Sequence, residues 1–158
     1  MHRKGIMPLE AQYLQIISLV ERLHRQFLEL VKLELDRLGI HDINNVQGLT
    51  LFNIGDAEMT VGELMLRGCY LGSNVTYSVK KMVENGYLTQ ERSVHDLRSI
   101  HVKLTDKGLA LRDQLTHMHQ RHLEMLSQIP VTNEDLQDVI GTMRLFIRAF
   151  RQRGDQRS

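Results

Sequence analysis

Apolar residues recur at helical spacing from Leu9 to Leu38, through Tyr13, Ile16, Ile17, Val20, Leu23, Phe27, Leu30 and Val31. This predicts one long helix, stopped by Gly39. Its stripe is too apolar for a helix standing alone in water, so a partner surface is expected. A short apolar piece, Val46 to Ile54, follows between Asn44-Asn45 and Gly55. Thr60-Val61-Gly62-Glu63 reads as a capping box and predicts a brief helix through Leu66, closed by Gly68. A third element begins near Gly72-Ser73 and ends at Gly86, with Val75, Val79, Met82 and Val83 on one face. Three short helices in succession, joined by tight glycine-bearing turns, are therefore expected.

Past Gly86 the period changes from helical to alternating. Tyr87 to Arg92 reads as a strand, and so does Ser99 to Leu104, where Ile100, Val102 and Leu104 alternate with polar residues. The segment between them is polar and turn-prone, which makes a β-hairpin with a charged tip. Thr105 then caps a fresh helix carrying Leu111, Leu115, Met118, His122, Met125 and Ile129, and Pro130 is expected to break it. A last helix runs from about Thr132 to Arg151, with Leu136, Val139, Ile140, Met143, Phe146, Ile147 and Phe150 on its apolar face. The fold class expected is mainly α with a small β-hairpin.

Composition adds little beyond excluding extremes. The chain of 158 residues has ordinary hydrophobic and charged fractions, no stretch able to span a bilayer and a single cysteine, Cys69. The basic start, Met1 to Pro8, lacks the apolar core and cleavage site of a signal peptide. A cytoplasmic protein with no membrane partner is the expectation. Net charge is only +1, so nucleic acid is not announced by bulk electrostatics. The middle is the most basic part: residues 60–108 hold seven Lys/Arg against five Asp/Glu, with His95 and His101 besides, whereas residues 1–59 hold six against eight. Where those charges sit decides the matter.

On a helical wheel of residues 73–84, the side opposite Val75, Val79 and Met82 presents Ser73, Asn74, Tyr77, Lys80, Lys81 and Glu84, with Thr76 among the candidate contacts. Two cations suited to phosphates stand beside short or planar polar groups suited to base edges, and a helix in the major groove needs both kinds. Glu84 lies near the helix end, where the helix leaves the groove. A polar outer face is common on any helix, and two lysines there prove little. The hairpin adds independent weight, because its tip holds Asp96 and Arg98 flanked by Arg92, His95 and Lys103. Arginine on a protruding tip suits the narrow, electronegative minor groove. Asp96 is expected to orient Arg98, or the backbone turn, through a hydrogen-bonded ion pair. Short helix, turn, recognition helix and basic hairpin is the order of a winged helix.

The run Asp96-Leu97-Arg98-Ser99-Ile100-His101-Val102-Lys103-Leu104-Thr105-Asp106-Lys107-Gly108 resembles the wing and following helix start of MarR-type regulators, which read D-x-R-S…V-x-L-T…G. Val75 to Leu88 resembles their recognition helix, and the order of elements is similar over nearly the whole chain. Tyr77 and Lys80-Lys81 depart from the arginine and other polar residues common there, which bears on the DNA sequence preferred. The resemblance implies one domain over 1–158. Within it, residues 44–108 form a winged helix-turn-helix that binds double-stranded DNA, and helices 9–38 and 109–152 build a homodimer. The DNA contacts expected from the wheel and the hairpin are Ser73, Asn74, Thr76, Tyr77, Lys80, Lys81, Arg92, His95, Asp96 and Arg98. Three apolar stripes outside the compact middle support dimerisation independently, and a two-fold dimer implies a pseudo-palindromic operator.

Other chemistry finds less support. Cys69, beside Gly68 and Tyr70, has only Arg67 to lower its pKa and no second cysteine to resolve a sulfenic acid; a packing thiol is the simpler reading. His119 and His122 could face one side of a helix but His117 and His119 cannot, and no cysteine or carboxylate cluster completes a site, so no metal is expected. Met65, Met82, Met118, Met125 and Met143 read as core filler, with an adaptable pocket for a small-molecule effector as a secondary role. No phosphate-cradling loop, H-E-x-x-H or nucleophile–His–Asp set is present, so no catalytic residues and no cofactor are expected. The alternative kept open is a winged-helix module for protein contacts without DNA binding.

Overall fold

A computed structural model describes residues 8–66, 74–96 and 98–154. Helix α1 spans Leu9–Arg37 and α2 spans Asn45–Ile54. Strand β1 covers Met59–Thr60, followed by α3 (Val61–Leu66) and α4 (Val75–Glu84). Strands β2 (Leu88–Arg92) and β3 (Ile100–Leu104) precede α5 (Asp106–Leu126) and α6 (Asn133–Gly154). The chain divides into two compact units at Met118/His119, so that α5 begins in the first and ends in the second.

Local chemistry explains where the elements begin. The Asn44 side chain accepts from the Gln47 amide at 2.8 Å while the Gln47 side chain accepts from the Asn44 amide at 3.0 Å. This reciprocal cap starts α2. Thr60 and Glu63 make the same exchange at 3.0 and 2.9 Å ahead of α3, as the sequence predicts. Thr105 accepts from the Gly108 amide at 3.2 Å and opens α5.

The apolar face of α1 is buried only near its C-terminal end, at Val31 and Leu35, which pack over α2. Helix α2 is buried nearly all round and seats Leu51 and Ile54 at the centre of the first unit. Leu64, Val79, Met82, Leu88, Val102, Leu111, Leu115 and Met118 complete that core. Met82 and Met118 are thus core methionines, whereas Met65 and Met125 are exposed, contrary to the expectation for them. The three-stranded sheet has the order β1-β3-β2, all antiparallel, with Met59 opposite Val102 and Leu88 opposite Leu104.

Three further boundaries differ from the sequence reading. Strand β1 is not foreseen, because two residues are too few to show an alternation. Tyr87 belongs to the turn before β2, drawn inward to be 2% exposed. Helix α5 ends at Leu126, before Pro130. Gln128 and Ile129 donate to carbonyls three residues back, which tightens the last turn, and the residue before a proline is pushed out of helical geometry.

Candidate nucleic-acid interface

Helix α4 is amphipathic in the sense the wheel predicts. Val75, Ser78, Val79 and Met82 are buried, while Asn74, Thr76, Tyr77, Lys80, Lys81 and Glu84 are exposed. Asn74 stands at the N-cap, and its side chain makes no capping bond. Ser73 and Cys69 lie outside the described residues. On the exposed face, Lys81 sits 3.3 Å from the Glu84 carboxylate and 5.8 Å from the centre of the Tyr77 ring. Lys80 has no such partner among the described residues. The two lysines are therefore unequal, which their adjacency in the sequence conceals.

The hairpin tip is organised by Asp96. One carboxylate oxygen accepts from the Arg98 backbone amide at 3.0 Å, and the other from the Ser99 hydroxyl at 2.9 Å. The Ser93 hydroxyl accepts from the His95 and Asp96 amides, and the Ser93 amide donates to the Ser99 carbonyl at 2.9 Å. Asp96 thus engages the backbone turn, the second of the two alternatives expected of it, through hydrogen bonds to the Arg98 amide and the Ser99 hydroxyl rather than through an ion pair. A short Asx-type turn satisfies the carboxylate locally and leaves Arg98 directed by the backbone. Arg92, His95 and Arg98 are all exposed.

His101, counted among the cationic residues of the middle, lies against an acid. Its Nδ1 is 3.0 Å from Glu58, and its cross-strand neighbour is Glu91. Together with Thr89, Val102 and Lys103 these residues line a groove of about 200 Å³ on the hairpin. The cationic character therefore concentrates at the tip and on α4. A second groove, of about 290 Å³, is lined by Leu38, Ile40, Tyr87, Lys107, Ala110, Leu111 and Gln114, with none of the methionines expected of an adaptable pocket.

Behind α4 lies a polar cluster that sequence reasoning missed. Tyr87 Oη donates to Asp42 Oδ1 at 2.8 Å, and Lys107 Nζ donates to Asp42 Oδ2 at 3.2 Å. Lys107 Nζ also donates to the Asn85 carbonyl at 2.8 Å and lies 4.3 Å from the Tyr87 ring centre. Burial alone would raise the Asp42 carboxyl, but the bonds from Tyr87 and Lys107 together hold it below its ordinary value. Burial and the neighbouring Asp42 charge push the Tyr87 hydroxyl well above its ordinary range. The partners are 45 and 65 positions apart, so no local pattern could signal them. No group of three or more potential metal ligands occurs among the described residues.

The family model described as MarR family matches residues 41–99, from the loop before α2 to the hairpin tip. Over these residues the chain is similar to the MarR family. The chain is also 39% identical over 99 residues to the exopolysaccharide II synthesis transcriptional activator ExpG of Rhizobium meliloti, a match covering 63% of this chain and 51% of that one. It thus spans about half the length of that curated relative. Among solved structures, a MarR protein from Peptoclostridium difficile is similar with a TM-score of 0.72 at 18% identity, over 100% of this chain and 97% of the other. FabT of Streptococcus pneumoniae, solved in complex with DNA, is similar with a TM-score of 0.64 at 23% identity, covering 89% and 97%. At these identities the likeness establishes the winged-helix fold of those structures, with the β2–β3 hairpin as its wing. No helix among the described residues is long and apolar enough to cross a membrane.

Proposed function

We propose that this chain is a cytoplasmic, sequence-specific regulator of transcription that binds double-stranded DNA as a homodimer on a pseudo-palindromic operator and answers to a small-molecule effector. It is a regulator rather than an enzyme. The observation that carries the reading is the exposed face of α4, where Asn74, Thr76, Tyr77, Lys80 and Lys81 stand opposite a buried apolar face. That face combines groups for base edges with groups for phosphates. The wing, with Arg92, His95, Asp96 and Arg98 exposed at its end, offers a second contact suited to the minor groove. Ser73, next to the helix start, completes the proposed set. Residues 44–108 would serve DNA and the helices over 9–38 and 109–152 the dimer, within one MarR-type domain. Supporting this, the relative ExpG is a transcriptional activator and the neighbour FabT was solved with DNA.

The test is selection of bound duplex from a random pool, followed by fluorescence anisotropy with the selected duplex across a salt series. Binding that weakens steeply with salt and exceeds that of a scrambled duplex by at least a hundredfold is expected. A chain that binds neither duplex would overturn the proposal in favour of a protein-interaction module.

A further inference from the structure

We propose that Asp42, Asn85, Tyr87 and Lys107 are positioning residues that set how α4 meets DNA, so that they govern sequence discrimination while touching no base. This rests on the DNA-binding reading given above. The cluster converges on Asn85 and Tyr87, the first and third residues past α4. The Asn85 side chain donates to the Asp42 carbonyl at 2.6 Å, while its own carbonyl accepts from Lys107 at 2.8 Å. Tyr87 and Lys107 then share the Asp42 carboxylate. Three segments distant in sequence are thereby tied at one point: the loop before α2, the exit of α4 and the first turn of α5.

The backbone adds to the clasp. Gly86 adopts a φ of +82° that a side chain would disfavour, which turns the chain sharply out of α4. The Thr105 amide donates to the Tyr87 carbonyl at 3.1 Å, and the Thr105 hydroxyl donates to the Gly86 carbonyl. The apolar face of α4 resists lifting away from the core, yet side-chain packing alone leaves a helix some freedom to slide and rotate. Directional hydrogen bonds at its end remove that freedom. A cation beside the carbonyls at the end of a helix is also favourable. Lys107 and Asp42 are 51% and 41% exposed, and an ion pair so exposed adds little stability. Four polar groups focused on one turn are better explained by geometry than by stability.

Base-edge contacts tolerate little misplacement, whereas phosphate contacts tolerate more, because a charge attracts over several ångströms. Loosening the clasp should therefore degrade specific binding selectively. The experiment measures the affinity of the full chain for the selected duplex and for a scrambled duplex, with wild type, Tyr87→Phe, Lys107→Met and the double variant, all shown folded by circular dichroism below their melting points. The expected result is a loss of about tenfold in the specific-to-scrambled ratio, with scrambled binding of Tyr87→Phe within twofold of wild type. The ratio cancels both a changed folded fraction and the lost lysine charge, which a merely structural role would alter for the two duplexes alike. Wild type that discriminates, beside variants that keep its ratio or lose both affinities equally, would overturn the clasp alone. Wild type that does not discriminate would overturn the DNA-binding reading, and the clasp with it.

Discussion

Asp96 places a negative charge at the end of an otherwise cationic hairpin, and both of its oxygens are engaged within the turn. Simple electrostatics favours its removal, since DNA repels it; the turn geometry favours its retention. Each bond inside a turn is worth on the order of 1 kcal/mol. Asp96→Ala should therefore weaken operator binding about fivefold despite the gain in net positive charge, and Arg98→Ala should weaken it further. Tighter binding by Asp96→Ala in anisotropy would show that charge outweighs geometry. Tyr87 offers a test by pH. Its hydroxyl titrates above its ordinary value in the folded chain, so the folded state holds the proton that the unfolded chain releases near pH 10. The associated stability is fully present below that pH and is lost as pH rises toward the folded value. Between pH 8 and 10.5 the urea midpoint of wild type should fall more than that of Tyr87→Phe, the lysines titrating alike in both. The D-x-R spacing and a turn-orienting Asp96 were legible in the sequence; which donors it binds was not, because spacing does not say which donor is nearer.

For whole elements, the contrast between buried and exposed faces of α4 decides what each substitution does. Asn74→Ala or Tyr77→Ala should cost about 1–3 kcal/mol on the selected duplex and relax one or two base positions. Lys80→Ala should weaken all duplexes alike and reduce the salt slope by about one. Lys81→Ala should do so less, since Glu84 and Tyr77 already engage that cation. Competition binding with single-position duplex variants reads both effects. Helix α5 makes its own demand at Gly108, where an added Cβ would meet the Tyr87 carbonyl oxygen at an impossible 2.3 Å. Gly108→Ala should destabilise the fold by about 1–3 kcal/mol in urea unfolding, because a backbone atom cannot step aside cheaply. The helices were legible from period and capping residues, and the hairpin from alternation. Strand β1 was not, being recruited by β3 across some forty intervening residues.

For the molecule as a whole, much of the apolar stripe of α1 before Val31 is exposed, at Leu9, Tyr13, Val20, Leu23 and Leu30. On α6, Leu136, Val139, Ile140, Ile147 and Phe150 are likewise exposed. Apolar faces this continuous are not left to water, which supports a second copy as their partner. Met143→Glu or Phe146→Glu should give monomer or aggregate and abolish operator binding. Light scattering at micromolar concentration checks this, and a well-folded wild-type monomer would contradict the homodimer. The stripes were read from sequence, and exposed apolar residues lie along α1 in the first unit and along α6 in the second.

Apart from β1, the order of elements, most of their buried faces and the D-x-R-S wing motif could be read along the chain, because these depend on spacing within a few residues. Which polar groups meet followed only from packing. Asp42 found Tyr87 and Lys107, His101 found Glu58, and Asp56 found Arg112, each across a stretch of chain far longer than any local period. Hydrophobic burial is non-directional and leaves a periodic trace along the chain, whereas a hydrogen bond between distant residues exists only once packing has brought donor and acceptor within reach.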